Sequence, residues 1–262
     1  MKMLRHESEV RDYEIHAGDG LVGTVTDFLF DDATWMVRWL VVDTGRWLPG
    51  RKVLVPPSAL SYVNHIGHQF NILLTRQQVK DCPGVEVHEP VSRQHEARIY
   101  DYYGWSPYWN NSSFGGAIGY GGSILGASMT VPPFGLMQKE KDIDDADGSK
   151  QDATLRSVEE ITGYSIHALD GEIGHVEDVL VEDDDWSIRY LVVETKHWWH
   201  GNKVLVSPLA VIDIRWTERQ VRLGVDRRRV QNSPTYDPLA LVDFSHEKTT
   251  QKYGDCHRSR VG

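Results

Sequence analysis

Residues 38–60 read RWLVVDTGRWLPGRKVLVPPSAL, and residues 189–211 read RYLVVETKHWWHGNKVLVSPLAV. Arg38 aligns with Arg189 and Leu60 with Val211, 151 residues apart throughout and with no gap. Each block reads as strand, turn, strand. Leu40-Val41-Val42 and Leu191-Val192-Val193 are buried, β-branched strand centres. Gly50 and Gly201 close a tryptophan-bearing turn, and the sequence Lys-Val-Leu-Val then returns to Pro57 or Pro208. Proline has no N–H for a strand ladder and ends the strand there.

The repeat extends in both directions. Upstream, Asp19-Gly20 and Asp170-Gly171 are turn signals, because glycine tolerates positive φ. The alternation after them predicts strands over 21–30 and 172–181. Acidic turns follow at Asp31–Thr34 and Glu182–Asp185, and Trp35 and Trp186 are expected to start the next strand. Leu4–Arg11 is expected to give a helical turn, as is Leu155–Thr162, where Ser157 and Glu160 have capping-box spacing. Downstream, 59–64 with 69–74 and 210–215 with 220–225 predict two more strand pairs, and 75–80 a last helical turn. Between 4–83 and 155–234 about thirty positions are identical, far above chance for a repeat search. Short strands separated by turns, with hardly any long helical period, indicate an all-β chain of two tandem small antiparallel barrels with short helical turns.

The domain reading is repeat 1 over 4–83, a linker over 84–153, repeat 2 over 154–234 and a polar tail over 235–262. The linker changes character along its length. Residues 100–126 are rich in Gly, Ser, Asn and aromatics, and 139–152 are a solvated charged run. Such a composition is expected to stay partly disordered. Its aromatics leave a second reading open, in which they lie on a barrel surface or on a neighbouring chain. The formal charge of −10 argues against bulk binding to nucleic acid and against charge-driven docking on anionic lipid. Two cysteines, Cys82 and Cys256, do not make a secreted disulfide framework. With no apolar run of about 18 residues and no apolar leader after Met1, the expectation is a cytoplasmic, bacterial-type protein without a membrane span.

Candidate chemistry is sparse. His16 with Asp19, and His167 with Asp170, recur in the motif Ile-His-Ala-x-Asp-Gly. Two readings stand: a His–Asp pair lining a ligand cleft between the repeats, or loop residues copied with the block. His197 and His200 lie three apart in a hairpin turn, where repeat 1 carries Arg46 and Pro49, and no third metal ligand accompanies them. Asp142, Asp144, Asp145 and Asp147 miss the calcium-loop spacing, since Ala153 stands where that loop needs glutamate. No nucleophile elbow, phosphate loop or dinucleotide fingerprint is present. No metal and no cofactor are therefore expected. The hairpin tips are the stronger lead: Arg46 and Trp47 in repeat 1, His197, Trp198 and Trp199 in repeat 2. Exposed aromatics beside a charge are binding anchors, and the competing reading is that they plug their own barrels.

The block resembles the PRC-barrel family. The resemblance rests on Asp-Gly-x-x-Gly-x-Val-x-Asp at 19–27 and 170–178, the Leu-Val-Val strand, and the hairpins Trp47–Pro57 and Trp198–Pro208. It implies the compact barrel shared by the cytoplasmic domain of the photosynthetic reaction-centre H subunit and the C-terminal domain of a ribosome maturation factor. In both it docks rather than catalyses. The expected function is thus a non-enzymatic interaction or scaffold module, binding a protein partner or itself, with the two copies paired about a pseudo-twofold axis within one chain or between chains. Small-ligand or metal binding at the inter-repeat cleft is the alternative. An accessory role related to H-subunit-like proteins is a further one, although the membrane helix of that subunit has no counterpart here.

Overall fold

The computed structural model describes residues 3–83, 91, 93–109, 155–195, 203–232 and 236. Repeat 1 contributes β1 (Leu4–His6), α1 (Glu7–Val10), β2 (Glu14–Ala17), β3 (Gly20–Asp31), β4 (Met36–Asp43), β5 (Lys52–Val55), β6 (Leu60–Asn64), β7 (Gln69–Ile72) and α2 (Arg76–Asp81). Helix α3 (Arg93–Tyr103) comes next. Repeat 2 supplies β8 (Leu155–Ser157), α4 (Val158–Ile161), β9 (Ser165–Ala168), β10 (Gly171–Glu182), β11 (Ile188–Thr195), β12 (Lys203–Val206), β13 (Val211–Arg215), β14 (Gln220–Leu223) and α5 (Arg227–Gln231). The protein is all-β, with two seven-stranded sheets of the same order, β5-β4-β3-β2-β7-β6 and β12-β11-β10-β9-β14-β13. Pairing is antiparallel except for β2 with β7 and β9 with β14, which run parallel. Those partners are far apart in sequence, so no hairpin constrains their direction.

The seventh strand of each sheet comes from the other repeat. β1 pairs with β10, Leu4 opposite Glu182 and His6 opposite Leu180. β8 pairs with β3, Leu155 opposite Asp31 and Ser157 opposite Leu29. A second seam lies at the acidic turns. Trp35 and Trp186 both have positive φ, 57° and 59°, rather than opening a strand as expected. Their carbonyls accept reciprocal bonds from across the pseudo-twofold, Val37 N to Trp186 O and Ile188 N to Trp35 O, each 2.8 Å. Trp186 then lies against Phe28 and Phe70 of repeat 1. Apolar residues of both repeats form one continuous core. The strands β1 and β8 escape prediction because three residues are too few to show a period.

The largest departure from expectation lies in the stretch read as linker. Helix α3 buries Glu96, Ile99 and Tyr100, which share one helical face. It covers Trp39, Val41 and Leu54 on the outer side of sheet 1, together with Cys82 and Leu155. Glu96 is 1% exposed and accepts a 2.8 Å bond from Trp39 Nε1 and a 3.2 Å bond from Tyr108 Oη. Arg38 stacks on Tyr108 and Arg93 on Trp109. Up to residue 109 the aromatics therefore lie on a barrel surface. Polar spacing and a buried glutamate disguise the helix in sequence. The rest of the 84–153 stretch, the charged run included, lies outside the described residues.

Two glycines explain the spacing of the motif. Gly20 and Gly171 have φ of 136° and 138°, a region L side chains rarely adopt. Gly23 and Gly174 face a neighbouring strand so closely that a Cβ would collide with the carbonyl oxygens of Asp43 and Glu194. We predict that Gly174→Ala costs about 2–3 kcal/mol, read as a lower urea midpoint, because the obstruction is backbone and cannot swing away. Gly18→Ala, where nothing lies within 4 Å and repeat 2 carries Leu169, should leave the midpoint unchanged.

Candidate functional site

The motif's two aspartates each hold a short helix, at different distances across the molecule. Asp19 Oδ1 accepts from Arg76 N at 2.9 Å, and Asp170 Oδ1 from Arg227 N at 2.7 Å. Each thus fixes the start of the last helix of its own repeat. Thr75 and Gln78 complete a capping box on α2, and Asp226 caps α5. His16 is not paired with Asp19; its Nε2 lies 2.8 Å from Glu14 Oε2. Of the two readings open for these residues, the His16–Asp19 pair is not the one formed, and a peptide N–H at the start of α2 takes Asp19 Oδ1. His167 lies half-buried on β9, and Asp170 is held by Arg227.

The second motif aspartate reaches the other repeat. Asp27 accepts from Ser157 Oγ at 2.6 Å and Glu159 N at 3.1 Å, so it grips the first turn of α4. Asp178 does the same for α1, accepting from Ser8 Oγ at 2.5 Å and Ser8 N at 3.4 Å. His6 Nδ1 lies 2.8 Å from the same carboxylate. The two sites differ electrically. Burial pushes the Asp27 carboxyl up, against the Ser157 hydroxyl and two backbone N–H groups. Burial also acts on Asp178, yet the bonds from His6 and Ser8 outweigh it and leave that carboxyl below its ordinary range. The His6 imidazole is raised in turn, chiefly by its bond to Asp178. Tyr236 Oη lies 2.5 Å from His6 Nε2 and Tyr236 N bonds Lys203 O, which ties residue 236 to the arm.

A buried carboxylate sits in the same seam. Glu7 is 2% exposed and makes a bidentate pair with Arg11; its counterpart in repeat 2 is the fully buried Val158. Burial raises the Glu7 carboxyl to about 7, more than Arg11 lowers it. The native state therefore holds a proton that the unfolded chain releases near pH 4.5. That contribution to stability is complete below pH 4.5 and is lost as pH rises to about 7. Glu7→Gln should remove this slope. We expect the stability of the variant relative to wild type to rise by on the order of 3 kcal/mol between pH 4.5 and pH 7.5, measured by denaturant unfolding at both.

A cleft of about 740 Å³ opens between the repeats. One wall is the turn of repeat 1 around Trp35 and Met36 with the start of β11; the other is β13 with Leu209 and Trp216. None of His16, Asp19, His167 or Asp170 lines it. The inter-repeat cleft is therefore present, but other residues make it. Sequence could have flagged them through divergence, since Leu209 and Ile212 replace Ser58 and Ser61 of repeat 1. At the hairpin tips, Arg46 is exposed, whereas Trp47 is half-buried against its own core beneath the Arg76 guanidinium, 4.4 Å from the ring centroid. Trp47 thus packs as a barrel residue. His197, Trp198 and Trp199 lie outside the described residues. Among the described residues there is no group of three His, Cys, Asp or Glu side chains that could hold a metal, and no helix long and apolar enough to cross a membrane.

Comparison with known proteins gives one result at the level of the domain. Residues 7–76 match the family model of the PRC-barrel domain. No curated protein matches the chain. The matched stretch spans α1 to the first residue of α2 and contains Asp19, Gly20, Gly23 and Asp27, whose structural roles are described above. Residues 7–76 of this chain are a PRC-barrel domain, and the sheet of repeat 2 repeats its strand order, as a tandem copy does.

Proposed function

We propose that this protein is a non-enzymatic interaction module, a pair of PRC barrels acting as one rigid scaffold that docks a partner protein. The observation that carries the reading is the use made of the motif residues. Asp19, Asp27, Asp170 and Asp178 are all engaged in capping helices and joining arms. These four recurring aspartates are thus committed to building the double barrel. Residues that differ between the copies join the junction cleft, with Leu209 and Ile212 on its wall where repeat 1 carries Ser58 and Ser61. A scaffold kept constant beneath a surface that varies is the arrangement expected of a binding module.

Ligand binding through His16, Asp19, His167 and Asp170 is not favoured, because three of the four have partners within their own repeat. No observation favours a role tied to photosynthetic reaction centres. The reading is tested by affinity capture of the tagged full chain from its native cells, followed by native mass spectrometry. A stoichiometric complex with a second polypeptide is the expected result. A chain that stays free of protein partners and instead carries a small molecule or turns one over would contradict it.

A further inference from the structure

The outer faces of the two sheets correspond residue for residue. On sheet 1, Trp39, Val41, Leu54 and Leu155 lie beneath α3. At the same repeat positions sheet 2 carries Tyr190, Val192, Leu205 and Leu4. Tyr190 and Val192 are 4% and 1% exposed, so this face is covered as well. Among the described residues, Leu4, Leu205 and Tyr236 pack against it, and no counterpart of α3 is present.

Tyr236 is held at three points. Its side chain packs on the face, its N–H donates to Lys203 O at 2.9 Å on the end strand β12, and its hydroxyl lies 2.5 Å from His6 Nε2 on β1. The chain is thus delivered onto sheet 2 at residue 236. The sequence directly beyond is apolar, with Leu239, Leu241, Val242 and Phe244. The repeat offset also runs on into it. Val91, which packs on sheet 1, and His95-Glu96 of α3 match Val242 and His246-Glu247, again 151 residues on. Glu96 is the buried acceptor for the Trp39 indole N–H. Tyr190, the equivalent of Trp39, likewise carries a donor at its tip. The copies differ further along, since Thr250 and Gln251 stand where α3 buries Ile99 and Tyr100. The apolar residues precede the glutamate in the tail and follow it in α3.

We infer that residues 239–247 form a strap over the outer face of sheet 2. Leu239, Leu241, Val242 and Phe244 cover Val192 and Leu205, and Glu247 accepts a hydrogen bond from Tyr190 Oη. Removing these apolar side chains from water favours the closed strap, and the anchor at Tyr236 keeps the closing loop short, which limits its entropic cost. The strap closes sheet 2 to a partner as α3 closes sheet 1. The inference stands apart from the interaction reading, because it concerns a surface the chain takes up itself, whether or not a partner docks elsewhere.

The test uses the full chain. Cys82 is buried, so Cys256→Ser with Ser245→Cys directs a nitroxide label to position 245, the equivalent of the exposed Gln94 on α3. The amide NMR signals of Tyr190, Val192 and Leu205 should be broadened selectively, and those of Trp39, Val41 and Leu54 should not. Leu241→Ser with Phe244→Ser in the same labelled chain should abolish the broadening, with circular dichroism unchanged. When labelled chains are mixed with unlabelled, isotope-enriched chains, the enriched chains should show no broadening. Tyr190→Phe and Glu247→Ala together should lower the urea midpoint no further than the larger of the two alone. Broadening spread evenly over the surface, or kept by the serine variant, would overturn the proposal. So would broadening transferred to the enriched chains, which would put the tail on a second copy, and so would additive losses from the Tyr190 and Glu247 substitutions.

Discussion

The double barrel rests on two carboxylates that reach across it. Asp27 holds the Ser157 hydroxyl and the N–H of Glu159; Asp178 holds the hydroxyl and N–H of Ser8. Each captured residue stands at the start of a helical turn, where free peptide N–H groups favour an anion. The turn follows directly on a three-residue strand that completes the other repeat's sheet. Removing either half therefore strips the other of a strand, a helix cap and part of the core. A buried carboxylate left without its donors is costly, so neither repeat is complete in isolation. A small barrel buries little apolar surface alone, and the exchanged arms make one larger core from two.

On this symmetric frame the two halves are finished differently. Helix α3 shields sheet 1 over Trp39, Val41 and Leu54. The equivalent surface of sheet 2 is Tyr190, Val192 and Leu205, and Tyr236 packs there. The arms differ too, with His6 and Glu7 in one where Ser157 and Val158 stand in the other. Both substitutions add a titrating group to one seam, while at the other Asp27 is the carboxyl that burial raises. His6 is raised chiefly by its bond to Asp178, and Glu7 by burial. Both therefore make the native state hold protons that the unfolded chain releases, and both weaken the first arm as pH rises through the neutral range. Divergence after duplication has thus fallen on what covers the barrels and on how their arms are held, while the strands kept their register.

Much of the architecture was legible in the residues. A gap-free repeat fixes two copies, and the Asp-Gly turns, β-branched strand centres and terminal prolines place most strands to within a residue or two. Less of the site could be read. Duplication copies structural and functional residues alike, so recurrence of His16 and Asp19 carried no information on role, and both proved to have local partners. Trp47 looked like a projecting anchor because a hairpin tip is exposed by default, yet Arg76 and the barrel core claim its ring. Helix α3 was hidden because its buried face includes Glu96, and a glutamate reads as solvent-facing until Trp39 and Tyr108 supply its hydrogen bonds. The exchange of arms was beyond sequence altogether. Leu4–His6 has the same pattern whether it joins its own sheet or its neighbour's, and only three-dimensional pairing tells the two apart.

The interlocked arms are the central claim, and severing the chain between the repeats tests them most directly. Residues 1–109 and 151–262 would be co-expressed as separate chains and examined by size exclusion and calorimetry. The account predicts a 1:1 complex that survives purification and unfolds in a single transition, because each chain holds a strand of the other's sheet. Two monomeric species, each with its own transition and no affinity on mixing, would contradict it.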